Sequence, residues 1–265
     1  LWHRYDPPPP GLGALERLAH ALPRDRVIGI TPASVEGIPV RDVPIVLPGV
    51  EVPPPISPAE RAEARAALGL APGDFVVLNV GRLQAFKGHR HVLAAARRLA
   101  GEGVPVRVYI VGGALFGMEP HYPAELDRMV AASGVADRVH RTGYVPEPEV
   151  RRLHAAADAL VHAALAEPFG LAVAEAMALA LPVVAFAAVG PSILVEHGAS
   201  GLLVPVGDET ALAESLLGLA RDPSLRSRLG QAARARVACR FTNAAMARAI
   251  EAIYEEGSWA TYSRR

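Results

Sequence analysis

The sequence predicts an α/β fold built on a doubly wound parallel sheet, preceded by a piece of a second domain. Three observations carry this. Short continuous apolar runs such as "FVVLNVG" (75–81) end in glycine, as strands covered on both faces do. Helical patterns with glycine stops alternate with them, which implies right-handed crossovers between parallel strands. Proline crowds the segment before residue 59 and then thins out.

Residues 1–58 contain two strand-like pieces, "RVIGI" (26–30) and "VPIVLPGV" (43–50), followed by "VPPPISP" (52–58). Proline fixes φ and has no N–H to donate, so this stretch is expected to be an extended linker with a boundary near 52–58. Beyond it, "GHRHVLAAARRLAGEG" (88–103) predicts a helix, "VRVYIVGG" (106–113) a strand and "PAELDRMVAASG" (123–134) a helix. The pieces "RVHRTGYV" (138–145), "PEVRRLHAAA" (148–157) and "ALVHAA" (159–164) continue the alternation. "LAVAEAMALAL" (171–181), "PVVAF" (182–186), "SILVEHG" (192–198) and "GLLVPV" (201–206) complete it. Asp208 and Thr242 are predicted N-caps of two closing helices, "ETALAESLLGLARD" and "NAAMARAIEAIYEEG". The expected division is 1–55 as the end of a preceding domain with its linker, 56–240 as the main domain, and 241–265 as a helix packing back toward the N-terminal part.

Composition narrows the function classes. Among 265 residues, 27 basic and 27 acidic side chains cancel, so no overall field favours nucleic acid or an anionic membrane. Cys239 stands alone, which rules out an internal disulfide framework and a multi-cysteine zinc site. With no basic-then-apolar leader in "LWHRYDPPPPGLG", a reducing, cytoplasmic setting is the expectation, and the missing initiator Met suggests a piece of a longer protein. The apolar run 169–189 is long enough to raise a membrane span. Pro182 would interrupt such a helix, and Glu175 would lie in hydrocarbon, so a helix followed by a buried strand is expected instead.

In an open α/β sheet, ligands bind beyond the carboxyl ends of the strands. After the first strand comes "GRLQAFKG", where Arg82 and Lys87 flank a turn into a helix N-terminus. Two cations with backbone N–H groups and a helix dipole make a diphosphate site; alternatively they are two solvated surface charges. After the second comes "GGALFG" (112–117), whose Gly112 and Gly113 permit close backbone approach without forming a dinucleotide fingerprint or a P-loop. The loop "TGYVPEPE" (142–149), with Tyr144 and Val145, either lines a base pocket or is an ordinary turn. The fourth strand leads into "AEPFGLAVAEAMALALPVVAF" (166–186), where Glu167 lies in the loop and Glu175 in the first turns of the next helix. Each carboxylate could grip a vicinal diol, whereas a Glu175 embedded in core would need a cap or an Arg partner. His89, His91, His154 and His162 lack metal-ligand spacing and read as solvated or satisfied core positions. "RLGQAARARVACR" (228–240) reads as a solvated basic helix face.

Taken together, "GRL…KG", "VGG", "GYV", "ADALVHAALAEPFGLAVAEAMALALPVVA", "VEHGASGLLVPVGD" and "RF" resemble the C-terminal, donor-binding half of a GT-B glycosyltransferase of family 4, the retaining "glycosyl transferases group 1" class. The Glu-x7-Glu element in "EPFGLAVAE" is the most specific piece. The resemblance implies a Rossmann-like domain that takes a nucleoside-diphosphate sugar, UDP-linked for example, and transfers the sugar to a sugar or glycoconjugate acceptor without a metal or other cofactor. It implies that Arg82 and Lys87 neutralise the donor diphosphate and that Glu167 contacts donor-sugar hydroxyls. The N–H groups of Phe169, Gly170 and Leu171 would approach the sugar or phosphate, and Glu175 would hold the ribose. Three features depart from the pattern. The acceptor-binding domain is represented only by its end, Ile193 stands where a glutamate is usual, and Ala163-Ala164 replace Pro-Ser. A non-catalytic subunit that pairs with a separate acceptor-domain chain, or self-associates through an exposed face, is the alternative; a sugar-nucleotide epimerase is a third reading.

Overall fold

The computed structural model describes residues 28–35, 43–114 and 119–256. Among these, a short helical turn (Pro32–Val35) precedes α1 (Pro58–Ala67), β1 (Phe75–Val80), α2 (His89–Gly101), β2 (Val106–Val111) and α3 (Tyr122–Ala132). Then come β3 (Val139–Gly143), α4 (Glu147–Ala156), β4 (Ala159–His162), α5 (Leu171–Ala178) and β5 (Val183–Phe186). The chain continues through α6 (Val189–Leu194), β6 (Leu202–Val204), α7 (Glu209–Arg221), α8 (Pro223–Arg240) and α9 (Asn243–Glu256).

The six strands form one sheet in the order β3-β2-β1-β4-β5-β6, and every pairing is parallel. The chain winds outward from β1 in one direction, then returns to β4 and winds the other way. β1 and β4 therefore flank a topological switch point. Because successive strand side chains face opposite sides, the apolar runs divide cleanly between two cores. Val77, Val108, Ile110, Val161, Val184 and Phe186 pack under α2, α3 and α7. Val76, Leu78, Val111, Leu160, Val183 and Ala185 pack under α4, α5 and α8. Asn79, buried at the switch point, donates from Nδ2 to the Val161 carbonyl at 2.9 Å and ties the two central strands together.

Most of the long apolar stretch 169–189 is core, and it divides into a helix and a strand as expected, with Leu171, Glu175, Ala187 and Val189 at the surface. α5 ends at Ala178, Ala180 adopts a left-handed backbone (φ 61), and Pro182 stands immediately before β5. No helix among the described residues is long and apolar enough to cross a membrane. Asp208 and Thr242 cap their helices by accepting from the N–H groups of Ala211 and Ala245. The strand-like pieces in the N-terminal part are smaller than expected: Gly29 and Ile45 form an isolated parallel bridge, and Val50 bridges to Thr242. The first part of the expected leading segment, residues 1–27, lies outside the described residues, as do 36–42, 115–118 and 257–265.

The basic face of α8 is not simply solvated. Arg234 donates to the Ala178 carbonyl at the end of α5, and Arg236 donates to the carbonyls of Leu194 and Ile193 at the end of α6. A helix leaves its last carbonyls without partners, and these guanidinium groups supply the donors. The same logic operates at the amino end of the sheet. Arg61 and Arg65 of α1 donate to carbonyls of Ala155, Ala156 and Ala157 where α4 ends, and both grip the Asp158 carboxylate. Asp158, nearly buried, also accepts from the Val76 N–H at 2.8 Å. Burial lowers the Arg61 pKa most, Asp158 works against it, and like charge from Arg65 and Arg226 lowers it further. D158A removes the one acceptor these donors share, and breaking a buried pair of this kind costs about 3–5 kcal/mol. We expect a clear fall in the urea midpoint of D158A with an unchanged slope, and a variant within experimental error of wild type would refute this account of Asp158.

Candidate functional site

The carboxyl ends of β3, β2, β1 and β4 lie side by side, so the four loops that follow them share one edge of the sheet. Backbone hydrogen bonds stitch these loops together. Gly81 N–H donates to Val111 O, Leu83 N–H to Gly113 O, and Gly112 N–H to Gly143 O. Gly112 has φ 138, and a Cβ there would lie 1.8 Å from the Gly81 carbonyl oxygen, so only glycine lets the first two loops touch. Gly113 faces Tyr144, which is exposed, while the adjacent Val145 is half-buried against the second core. The remainder of the "GGALFG" loop, residues 115–117, lies outside the described residues.

A second close approach occurs at the switch point. Gly88 (φ 72) ends the turn Ala85–Lys87 and begins α2, and a Cβ on it would lie 1.9 Å from the Ala163 carbonyl oxygen. Leu165 N–H donates to Phe86 O at 2.8 Å and closes the contact. This holds the loop after β1 against the loop after β4, and it brings Lys87 to Glu167 across 80 positions of sequence.

Lys87 Nζ lies 2.8 Å from Glu167 Oε2, and His162 Nε2 reaches the same oxygen at 3.1 Å. Both side chains of the Lys87–Glu167 pair are largely buried, and His162 is buried at the end of β4. Burial alone would raise the Glu167 pKa. The His162 hydrogen bond, the Lys87 charge and the Lys87 hydrogen bond outweigh it and bring the carboxyl down to about 2. The backbone of Glu167 is fixed as well, since its carbonyl accepts from Gly190 N–H at 2.8 Å. Beneath the β1 loop, His89 meets the Tyr122 hydroxyl at 2.9 Å. Burial, helped by Lys87 and Arg141, lowers the His89 pKa to about 4 and keeps the ring neutral.

Arg82 is half-buried on the same loop and takes no ion pair among the described residues. Phe169 is buried and meets Phe241 edge-on at 6.2 Å, which anchors the loop that carries Glu167. Gly170 caps α5 in a left-handed conformation with no side-chain acceptor; Val173 and Ala174 N–H donate to its carbonyl, and the N–H groups of exposed Leu171 and of Ala172 remain available.

Glu175 lies in the first turns of the helix after β4, as expected, and the alternative that embeds it in the core does not hold. It is on the second turn of α5, but it emerges at the surface and is not embedded in the apolar run. No hydrogen bond or ion pair holds it among the described residues. Helical geometry explains this, because Val173, Ala174, Ala176, Met177 and Ala178 cover the core-facing side and leave position 175 outside. Desolvation by its surroundings, and then the Glu147 carboxylate at the start of α4, raise its pKa. Glu147 therefore acts on Glu175 as a like charge.

His162 is the site residue that sequence reasoning missed. A lone histidine at the end of an apolar strand carries no local signal of a carboxylate partner five residues on. His91 pairs instead with Glu209, and His154 with the Val150 carbonyl. Ile193, in the position where a glutamate was expected, packs partly against the second core and offers no polar group. No cluster of His, Cys, Asp and Glu able to hold a metal occurs among the described residues.

Known proteins resemble this chain in sequence and in fold. The family profile described as "Glycosyl transferases group 1" matches residues 60–236. A D-inositol 3-phosphate glycosyltransferase of Nocardia farcinica is 36% identical over 228 residues, 84% of this chain and 49% of its own length. The protein of the same description from Frankia alni is 36% identical over 200 residues, 74% of this chain and 49% of its own. Among solved structures, Anabaena HepE in complex with UDP and glucose superposes with a TM-score of 0.81 at 29% identity, covering 94% of this chain and 66% of that one. Sucrose-phosphate synthase from Thermosynechococcus elongatus gives 0.78 at 27% identity over 92% of this chain and 61% of its own. The chain thus spans about half the length of the curated relatives it matches, and its sheet is that of the C-terminal part of a GT-B fold.

The folded-state pKa of Glu167 lies below its ordinary 4.5, so its contribution to stability is present above that value and lost as pH falls through about 2. At roughly 1.4 kcal/mol per pKa unit this is at most about 3–4 kcal/mol, shared with Lys87 and His162. E167Q should therefore be less stable than wild type at neutral pH, and the gap should close as the pH is lowered from about 5 toward 2. A gap that is constant in denaturant melts across that range would contradict the assignment.

Proposed function

The chain belongs to the glycosyl transferases group 1 family, and on that premise we propose that it forms the donor-binding part of a retaining glycosyltransferase that uses a nucleoside-diphosphate sugar. The observation that carries the reading is the Lys87–Glu167 pair held at the switch point between β1 and β4, the place where open parallel sheets bind ligands. The donor diphosphate would lie along the β1 loop, where Arg82 and Lys87 offset its charge and the charge that develops as the leaving group departs. Phe169, Gly170 and Leu171 would present backbone N–H groups to the sugar or phosphate from the start of α5.

Glu167 would accept hydrogen bonds from donor-sugar hydroxyls. Glu175, exposed on α5 and unpaired, would accept from the two ribose hydroxyls, which suits a carboxylate that accepts without donating. Gly112, Gly113, Tyr144 and Val145 would border the base. In the reaction, the anomeric C–O bond breaks with its electron pair leaving on the diphosphate. The acceptor oxygen then bonds to the same face and passes its proton to the departing phosphate oxygen, so the configuration is retained. No metal is needed, because the two cations of the β1 loop carry the neutralising role.

Leu165, Leu171 and Val189 are exposed around Glu167. An apolar rim of this kind suits a covering partner, either the acceptor-binding part of a longer chain or a separate subunit. Turnover of a nucleotide sugar by this chain alone argues against the second arrangement.

The test is a thermal-shift panel of UDP, GDP, ADP and their sugars. A ligand that binds only the folded state at 100 times its Kd adds about 2.7 kcal/mol and raises the melting temperature visibly. We expect at least one nucleoside diphosphate to do so, and E175A to weaken it by about tenfold or more, equivalent to 1.4 kcal/mol or above. Absence of any shift at millimolar nucleotide would sink the reading.

A further inference from the structure

Lys87 has two anions to serve. In the reading above its ammonium faces the donor diphosphate, yet it also lies 2.8 Å from Glu167 Oε2. Arg82 is the other cation of that loop, and a diphosphate carries more negative charge than one guanidinium offsets. Bound donor therefore draws on Lys87 as well. Losing Lys87 would leave Glu167 largely buried without a charged donor, and a buried carboxylate with no partner is costly.

His162 meets that need. It is the last residue of β4, with its backbone held in register with Ala185 of β5 and its ring buried, so it cannot swing away as a lysine can. Its Nε2 lies 3.1 Å from the same oxygen, Oε2, that Lys87 occupies. An ionised carboxylate only accepts, so the ring nitrogen facing it carries the proton in either charge state of the imidazole. Both donors converge on Oε2. Oε1 takes no hydrogen bond among the described residues, and it is not among the sealed polar atoms.

We propose that His162 is a positioning residue for sugar transfer: its Nε2–H holds Glu167 Oε2 in place when Lys87 turns to the diphosphate, and Oε1 remains the one free acceptor offered to the donor sugar. The function of Glu167 rests on the transferase reading. The grip of His162 on Glu167 does not, and it can be measured without any ligand.

The experiment follows the Glu167 carboxyl by carbon-13 NMR titration of the whole chain, with E167Q identifying the signal. Wild type, K87M, H162L and K87M/H162L are compared. K87M stands in for the state in which the lysine has left. We expect K87M to keep its midpoint below the ordinary glutamate value of 4.5. In the double variant the midpoint should rise by about one unit or more above that of K87M, since burial then acts with no donor against it. H162Q, which restores an N–H donor of similar reach, should recover most of the shift, a rescue that a purely packing role for the ring would not produce. Equal midpoints in K87M and K87M/H162L overturn the proposal. If H162L fails to fold, H162N, too short to reach Oε2, takes its place in the same comparison.

The consequence for the reaction is read separately with UDP and UDP-glucose. H162L should change UDP affinity by less than about threefold. Its turnover of UDP-glucose should fall by about tenfold or more. An equal loss in both would mean that His162 serves binding as a whole and would overturn its positioning role. Failure of UDP to bind wild type counts against the transferase reading and leaves the titration to decide the place of His162.

Discussion

The backbone of Gly88 lies against the carbonyl of Ala163, and the whole carboxyl edge of the sheet is organised by that approach. The doubly wound topology sends the chain away from β1 in one direction and brings it back at β4, so loops distant in sequence become neighbours. They can touch only where no side chain intervenes, which is why Gly88 meets the end of β4 and Gly112 meets Gly81. Two cores, one on each face, hold the strands that carry these loops. With both faces sealed, the loops have little room to separate, and Lys87, Glu167 and His162 converge as a result.

Charge is distributed very differently at the two ends of the sheet. At the amino end, Asp158 and the arginines of α1 are used up by one another and by helix-terminal carbonyls. Their work is to staple helices to the sheet. At the carboxyl end, Glu167 is paired, but Arg82 has no ion pair among the described residues, and Glu147 acts on Glu175 as a like charge. A folded chain gains nothing internally from such an arrangement. Perturbed carboxyls such as Glu167 and Glu175, at the edge where open parallel sheets bind ligands, concentrate at functional sites.

Much of the fold was legible in the residues. The apolar strand runs, the glycine stops and the caps at Asp208 and Thr242 are local signals, and local physics decides them. Pro182 separated helix from strand inside a run that hydropathy alone would leave undivided. The site was legible in part. "GRL…KG" and the two glutamates of "EPFGLAVAE" marked the loops, because glycine and charge at the ends of apolar runs are conspicuous. The arginines of α8 were misread as solvated, since a basic side chain gives no local sign of which distant helix terminus it will cap.

The sequence by itself determined the alternation of elements, the parallel sheet and the loops in which polar side chains would gather, because propensity and periodicity act over a few residues. Only the tertiary structure decided who pairs with whom. It set Lys87 and His162 on one oxygen of Glu167, and it turned Glu175 outward from a stretch whose composition suggested burial. The physical reason is that an ion pair or an exposed helix position depends on the packing of elements far apart in the chain. That packing follows from which faces are covered, and a run of residues does not state this until the sheet is assembled.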